Sequence, residues 1–260
     1  MSDERIGIDH LFHTTTLERA MTIFASQPVL EPVAETAGYF PPKPPVVWVT
    51  PNDYSESQFG NVQIRFPCDR LLTGPLRCLR RAGSEVFVVG TELGKALDGT
   101  ESFAEVAGAW SRIADRFVRV AIPHPIDLTL ADQVIGVQPR RGGDAALETT
   151  MKLVAFASLR PAPMLASKLP RDWIWPAYEM LAKRLERASA GPPQRIPQAG
   201  ASLASFLAAV VADDFARAGA LADRLWPTPT RDALGAAYAA TWGREFIFGE
   251  DEPGAAPSAG

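Results

Sequence analysis

Histidine is the side-chain type whose ordinary pKa lies nearest neutral pH, and the chain has three, His10, His13 and His124. His13 stands where a short apolar stretch, Leu11-Phe12, runs through His-Thr-Thr-Thr into the amphipathic segment Leu17-Glu18-Arg19-Ala20-Met21. A strand feeding directly into a helix puts that imidazole at the mouth between the two, a placement for bonding a ligand. His10 lies three residues earlier, and on a strand residues three apart face opposite sides, so the two do not make a metal pair. His124, in Ile-Pro-His-Pro-Ile, reads as a turn residue, with a general-base role as the lesser reading. Other chemistries lack their patterns. Gly90-Thr91-Glu92-Leu93-Gly94-Lys95 is followed by Ala96 where a phosphate loop needs Ser or Thr, and neither a Gly-x-Ser-x-Gly elbow nor His-Glu-x-x-His occurs. Cys68 and Cys78, ten apart, read as reduced thiols.

The elements that must position His13 follow from periodicity. Leu17 to Ser26 carries apolar side chains at Leu17, Ala20, Met21, Ile23 and Phe24, a 3.6-residue stripe, with Thr15 or Thr16 as its cap. Val46 to Thr50, fed by the stiff Phe40-Pro41-Pro42-Lys43-Pro44-Pro45, reads as a buried strand. Asn61 to Pro67 alternates apolar and polar and reads as a half-buried one. Further strands are expected at Glu85 to Val89, Phe117 to Ile122 and Gln133 to Val137, and a second helix at Ser102 to Asp115. Beyond the Arg140-Arg141-Gly142-Gly143 break the pattern turns helical: Ala145 to Ser158, Trp173 to Ala188, Ala201 to Phe215, Ala216 to Leu225 and Arg231 to Phe246. Prolines punctuate the joints. Gly191 to Gly200 reads as an exposed linker, the six tryptophans as mainly core, and stripes such as Leu203, Phe206, Leu207, Val210 and Val211 as core rather than a partner groove.

In their order, Phe12-His13-Thr14-Thr15, then Val47-Trp48-Val49-Thr50, then Phe59-Gly60-Asn61-Val62, these motifs resemble the ADP-ribosyltransferase fold. DarT-like toxins, RNA 2′-phosphotransferases and several bacterial toxin-like families share such an opening. The likeness extends by motif over residues 8 to 67 and by strand order to residue 138. It implies an NAD-binding cleft between two small sheets. His13 would bond a ribose hydroxyl, Thr15 would steady the loop, Thr50 would line the cleft, and Tyr54 or Phe59, with Gly60 beside it, would stack on the nicotinamide. Cleaving that glycosidic bond builds an oxocarbenium ion, so the ribose must be held rigidly while a flat wall receives the leaving ring. In the family a later glutamate supports that cation. Here the corresponding strand, Asp132-Gln133-Val134-Ile135-Gly136-Val137, offers Gln133 or Asp132. Glutamine bonds a hydroxyl but brings no negative charge.

The expected organisation is α+β: a small split-sheet ADP-ribosyltransferase-like domain over 1–143, an all-α helical extension over 144–249, and a disordered tail over 250–260. The expected function is NAD-dependent transfer of ADP-ribose to a macromolecule or small molecule, in a toxin or phage-defence setting, with NAD as substrate and His13 and Gln133 as catalytic residues. The alternative is a catalytically silent member of the fold, a binding or antitoxin-type protein whose helical half grips a protein partner. An RNA 2′-phosphotransferase-like activity would need Arg65, Arg77, Arg80 and Arg140 to converge. With 260 residues, 47% hydrophobic and 22% charged, the chain has the makings of a globular core. No apolar run reaches the ~18 residues of a bilayer span, and the acidic Met-Ser-Asp-Glu-Arg start lacks a secretory pattern, so a cytoplasmic location is expected. Of 26 basic and 30 acidic side chains, residues 1–144 hold 14 and 18, so the net −4 belongs to the part with the candidate cleft. Any anion must there rest on local arginines and backbone amides.

Overall fold

A computed structural model describes residues 9–26, 29–34, 44–51, 59–72, 76–81, 84–89, 101–102, 117–137, 143–159, 163–197, 200–225 and 236. In chain order its strands are β1 (His10–Thr15), β2 (Val29–Leu30), β3 (Val33–Ala34), β4 (Pro45–Val49), β5 (Val62–Pro67), β6 (Leu76–Arg81), β7 (Ser84–Val89), β8 (Glu101–Ser102), β9 (Phe117–Ile122), β10 (Ile126–Asp127) and β11 (Gln133–Gly136). Its helices are α1 (Leu17–Ser26), α2 (Cys68–Leu71), α3 (Gly143–Leu159), α4 (Pro163–Lys168), α5 (Arg171–Ser189), α6 (Leu203–Val211) and α7 (Phe215–Leu225). This is an α+β chain. Its strands form a three-stranded antiparallel sheet in the order β1-β5-β11, a β10-β2 pair, and a six-stranded sheet in the order β3-β4-β9-β7-β6-β8, in which β7 and β9 run parallel.

The period-two pattern of β5 decides the small sheet. Val62, Ile64 and Phe66 are fully buried and stand opposite Thr15, His13 and Leu11 on β1. On its other side Val62 and Ile64 face Gly136 and Val134 of β11. Helix α1 has the bounds its stripe predicts, with Leu17, Ala20 and Met21 buried. Its cap is Thr16, whose hydroxyl accepts from the Arg19 N–H at 3.3 Å, because Thr15 still belongs to the strand. A second cap comes from far along the chain: Asn61 Oδ1 accepts from the Leu17 N–H at 2.9 Å.

Several elements differ from expectation for local reasons. Strand β6 escapes a hydropathy reading because Arg77, Arg80 and Arg81 interrupt its apolar residues. Helix α4 has only six residues and opens on Pro163, a ring that suits the first helical position as well as a breaker's role. The helix expected over Ala201 to Phe215 ends at Val211, where Asp213 turns to a φ of 60°, and α7 starts at Phe215. Ser102 ends β8 rather than opening a helix; the rest of that expected helix, the one over Arg231 to Phe246 apart from residue 236, and the tail lie outside the described residues. Tryptophans expected in the core are partly out of it: Trp48 and Trp173 are half-buried and Trp175 is 39% exposed. On α5 the buried stripe is Ile174, Ala177, Tyr178, Leu181, Ala182 and Leu185; Trp175 falls off it and stacks on Tyr178 at 5.7 Å.

Two compact units emerge, Met1–Val154 with Ser167–Met180, and Ala155–Ala166 with Leu181–Gly260. The compositional break at residue 143 is therefore not where the packing divides. The first turns of α3 belong with the small sheet: the Gly136 N–H donates to Thr150 Oγ1 at 3.1 Å, and a Cβ on Gly136 would meet the Ala146 carbonyl oxygen at 2.4 Å. In the second unit, Phe206 and Val210 of α6 and Ala218, Leu221 and Ala222 of α7 are buried. The Arg224 guanidinium bonds the Ile196 and Pro197 carbonyls, tying down the Gly191–Gly200 connection.

Of the described glycines, Gly60 has the closest surroundings. Its φ is 126°, and a Cβ there would fall 2.0 Å from the Thr15 carbonyl oxygen. Gly60→Ala is expected to destabilise the chain by about 3 kcal/mol in urea unfolding. Gly200→Ala, where the nearest atom is 3.8 Å away, should stay within about 0.5 kcal/mol.

Candidate functional site

The site is built where two sheets part. Phe12 and Thr50 exchange both backbone hydrogen bonds, at 2.8 and 2.9 Å, joining β1 to the end of β4. An antiparallel ladder would continue with Thr14 opposite Trp48. Instead the strands diverge, and the Trp48 carbonyl is taken by His13 Nδ1 at 2.9 Å. The imidazole thus stands in for a ladder bond at the split. A carbonyl only accepts, so Nδ1 carries the proton and Nε2 of the neutral ring is an acceptor. Burial pushes the His13 pKa below its ordinary 6.5, the Trp48 carbonyl opposes this, and the Arg19 charge adds to it.

From Trp48 the contacts continue to β9. Trp48 pairs with Ala121 on β9, so Arg119, two residues back, shares its face of the sheet. The Arg119 guanidinium lies over the Trp48 ring at 5.9 Å and over the Phe59 ring at 5.3 Å. Phe59, 36% exposed, precedes Gly60, whose backbone is pressed against the Thr15 carbonyl. The Asn61 N–H donates to that same carbonyl at 3.1 Å, and Thr15 is two residues from His13. His13, Trp48, Arg119, Phe59, Gly60 and Thr15 therefore form a closed circuit about the β1–α1 corner.

Of the residues singled out in the sequence, His13, Thr15, Phe59 and Gly60 are members of this circuit, and Thr50 is beside it through its pair with Phe12. Tyr54 lies outside the described residues. Gln133 is elsewhere. It stands opposite Arg65, which stands opposite Phe12, whereas His13 aligns with Ile64 and Val134. Directly opposed residues share a face and neighbours alternate, so the register puts Gln133 on the other side of the sheet from His13. Asp132 is committed on that other side as well. Arg65 Nε and an Nη group donate to its two oxygens at 2.9 and 3.0 Å, and His10 Nε2 lies 3.3 Å from it. His10 and His13 thus serve different partners, and among the described residues no three metal-ligating side chains gather. His124 is an exposed turn residue with Nδ1 3.1 Å from the Pro125 carbonyl. Cys68 is buried, and burial with the Asp69 and Asp9 charges pushes its thiol up to about 11, far from a thiolate nucleophile.

Sequence reasoning missed Trp48 and Arg119. Trp48 read as core because a single aromatic in a strand looks alike whether its ring is in the core or half out. Arg119 sits in an otherwise apolar strand, Phe117-Val118-Arg119-Val120-Ala121-Ile122, and a lone charge in such a run was the available signal. No family model matches the chain, and no curated protein or solved structure matches it either. Among the described residues, no helix is long and apolar enough to cross a membrane.

The lowered His13 pKa sets a pH dependence. The unfolded chain takes up the proton near 6.5 and the folded chain only at lower pH, so between those values the unfolded state binds more protons. Stability is then full above pH 6.5 and falls as the pH drops below it, by at most about 1.4 kcal/mol per unit. His13→Asn, which keeps a donor for the Trp48 carbonyl but does not titrate, should flatten this slope in urea midpoints taken from pH 5 to 8. An unchanged slope would show that other groups set it.

Proposed function

We propose that the chain binds an NAD-type dinucleotide at the His13–Trp48–Arg119–Phe59 circuit and holds it without cleaving the glycosidic bond, as a catalytically silent relative of the ADP-ribosyltransferase-like proteins. One observation carries the silent form: the strand register sets Gln133 on the face opposite His13, and Asp132 there is bound by Arg65 and His10. An oxocarbenium ion developing beside His13 would find neither of them, and electrostatic support for that charge is the main term such cleavage needs. Binding has better support. Aromatic rings at Trp48 and Phe59 suit a planar base, and the neutral His13 offers Nε2 to a hydroxyl donor such as a ribose.

The second reading, an active ADP-ribosyltransferase, is favoured by the gathering of His13, Thr15, Phe59 and Gly60 at the β1–α1 corner. Its carboxylate would have to come from a residue other than Gln133 or Asp132. The 2′-phosphotransferase-like reading loses Arg65, whose guanidinium is engaged by Asp132.

Calorimetric titration with NAD, run beside an assay for released nicotinamide, separates the readings. Saturable NAD binding without nicotinamide release is the expected result, with affinity lowered about tenfold in His13→Ala for the loss of one hydrogen bond. Release by the wild type, absent in His13→Ala, would establish the transferase instead; no binding would overturn both.

A further inference from the structure

We infer that the second unit self-associates through the groove where the end of α5 meets the α6–α7 corner, the occupant being the same groove of a second copy of this chain. The groove, about 490 Å³, is lined by Arg184, Arg187 and Ala188 of α5 and by the stretch from Asp213 to Ala216. All of these belong to one compact unit. Four of the seven lining residues are charged, where a small-molecule cleft is lined mainly by apolar and aromatic side chains. Arginine beside an aromatic is instead what protein interfaces concentrate, and Arg184 lies over the Phe215 ring at 5.1 Å.

The order of the charges identifies the partner. Cations come from α5 and carboxylates from the corner, two of each, so neither a polyanion nor a polycation is favoured. A complementary surface must carry both signs in reverse order. A twofold axis along the groove makes that surface from the chain itself, setting α5 of each copy against the corner of the other. Arg187 and Asp214 are the charges open to such a partner. Both are exposed, and among the described residues Arg187 makes no hydrogen bond or ion pair, so the two do not meet across their own groove. Asp214 is held in place: its Oδ1 accepts from the Arg217 N–H at 3.0 Å, its carbonyl accepts from the Ala218 N–H at 2.9 Å, and its own N–H donates to the Ala209 carbonyl at 3.0 Å. A carboxylate fixed in this way loses little freedom when a guanidinium pairs with it.

Sedimentation equilibrium of the full chain, over a range of protein concentration and at low and high salt, tests the inference. The wild type should pass from monomer to dimer as concentration rises, and salt should move that transition to higher concentration. Arg187→Glu sets like charges against Asp214 at two symmetric places and should weaken the dimer about tenfold or more. Asp214→Lys should do the same from the other wall. Mixing these two variants separates pairing from misfolding. In the mixed pair each introduced charge faces its opposite, while Arg187 of one chain faces Asp214 of the other, so the mixture should dimerise like the wild type. Asp214→Asn keeps the acceptor for the Arg217 N–H and loses only the charge; it should weaken the dimer in the same direction, which tests that wall even where the lysine variant does not fold. A wild type that stays monomeric at every concentration would overturn the inference. So would Arg187→Glu and Asp214→Asn chains that dimerise as well as the wild type, or a mixture of folded charge variants that does not associate.

Discussion

The first unit depends on a ladder that stops after one rung. Phe12 and Thr50 bond each other through both backbone groups, and one residue further the strands have separated enough for an imidazole to stand between them. Leaving the Trp48 carbonyl buried without a partner would cost about 1–3 kcal/mol, and the Thr14 backbone has moved out of reach. His13 Nδ1 meets that need and fixes the tautomer of the ring, while burial, against the pull of that same carbonyl, keeps it neutral. The same bond thus closes the split structurally and leaves Nε2 directed away from the Trp48 carbonyl. A substitution that merely filled the space would satisfy only one of those roles.

Everything at the corner beyond His13 serves to keep the split the same width. The chain leaves β1 at Thr15 and enters α1 at Leu17. That turn is held by the backbone of Gly60 against the Thr15 carbonyl, by the Asn61 N–H on that carbonyl, and by the Asn61 side chain on the first helical N–H. Asn61 Nδ2 also reaches Thr149 Oγ1 at 3.5 Å, and its own carbonyl accepts from the Val137 N–H at 2.8 Å. One asparagine therefore bonds the start of α1, the end of β11 and α3. Because Phe59 is two residues before it, the aromatic that covers Arg119 is anchored by the same clamp.

Much of this was legible from residue types. The His-x-Thr run entering an apolar stripe specifies β1 and α1 because period two gives way to period 3.6 within two residues, and α1 has the bounds the stripe indicates. Phe59 and Gly60 were singled out only through the resemblance to the ADP-ribosyltransferase fold, and the close backbone approach at Gly60 is visible only in the structure. Register was not. Whether Gln133 shares a face with His13 turns on a one-residue offset between β11 and β5, and a one-residue slip changes the answer without changing composition, alternation or strand order. Arg119 was illegible for a related reason, since its ring partners Trp48 and Phe59 are 71 and 60 positions away in the chain, and it is the β4–β9 pairing that brings Trp48 to it.

The two sheets position their charged groups differently. On the side of Gln133, Asp132 receives two guanidinium bonds from Arg65 of β5 and lies 3.3 Å from His10 Nε2 of β1, so side chains from two strands hold the carboxylate just before β11. Such half-exposed pairs add little net stability, but they fix side-chain positions across the sheet. In the larger sheet the Arg119 guanidinium lies over the rings of Trp48 and Phe59, whose quadrupoles attract a cation. There aromatic faces from two separate stretches of chain help fix a guanidinium, whereas in the small sheet a carboxylate does.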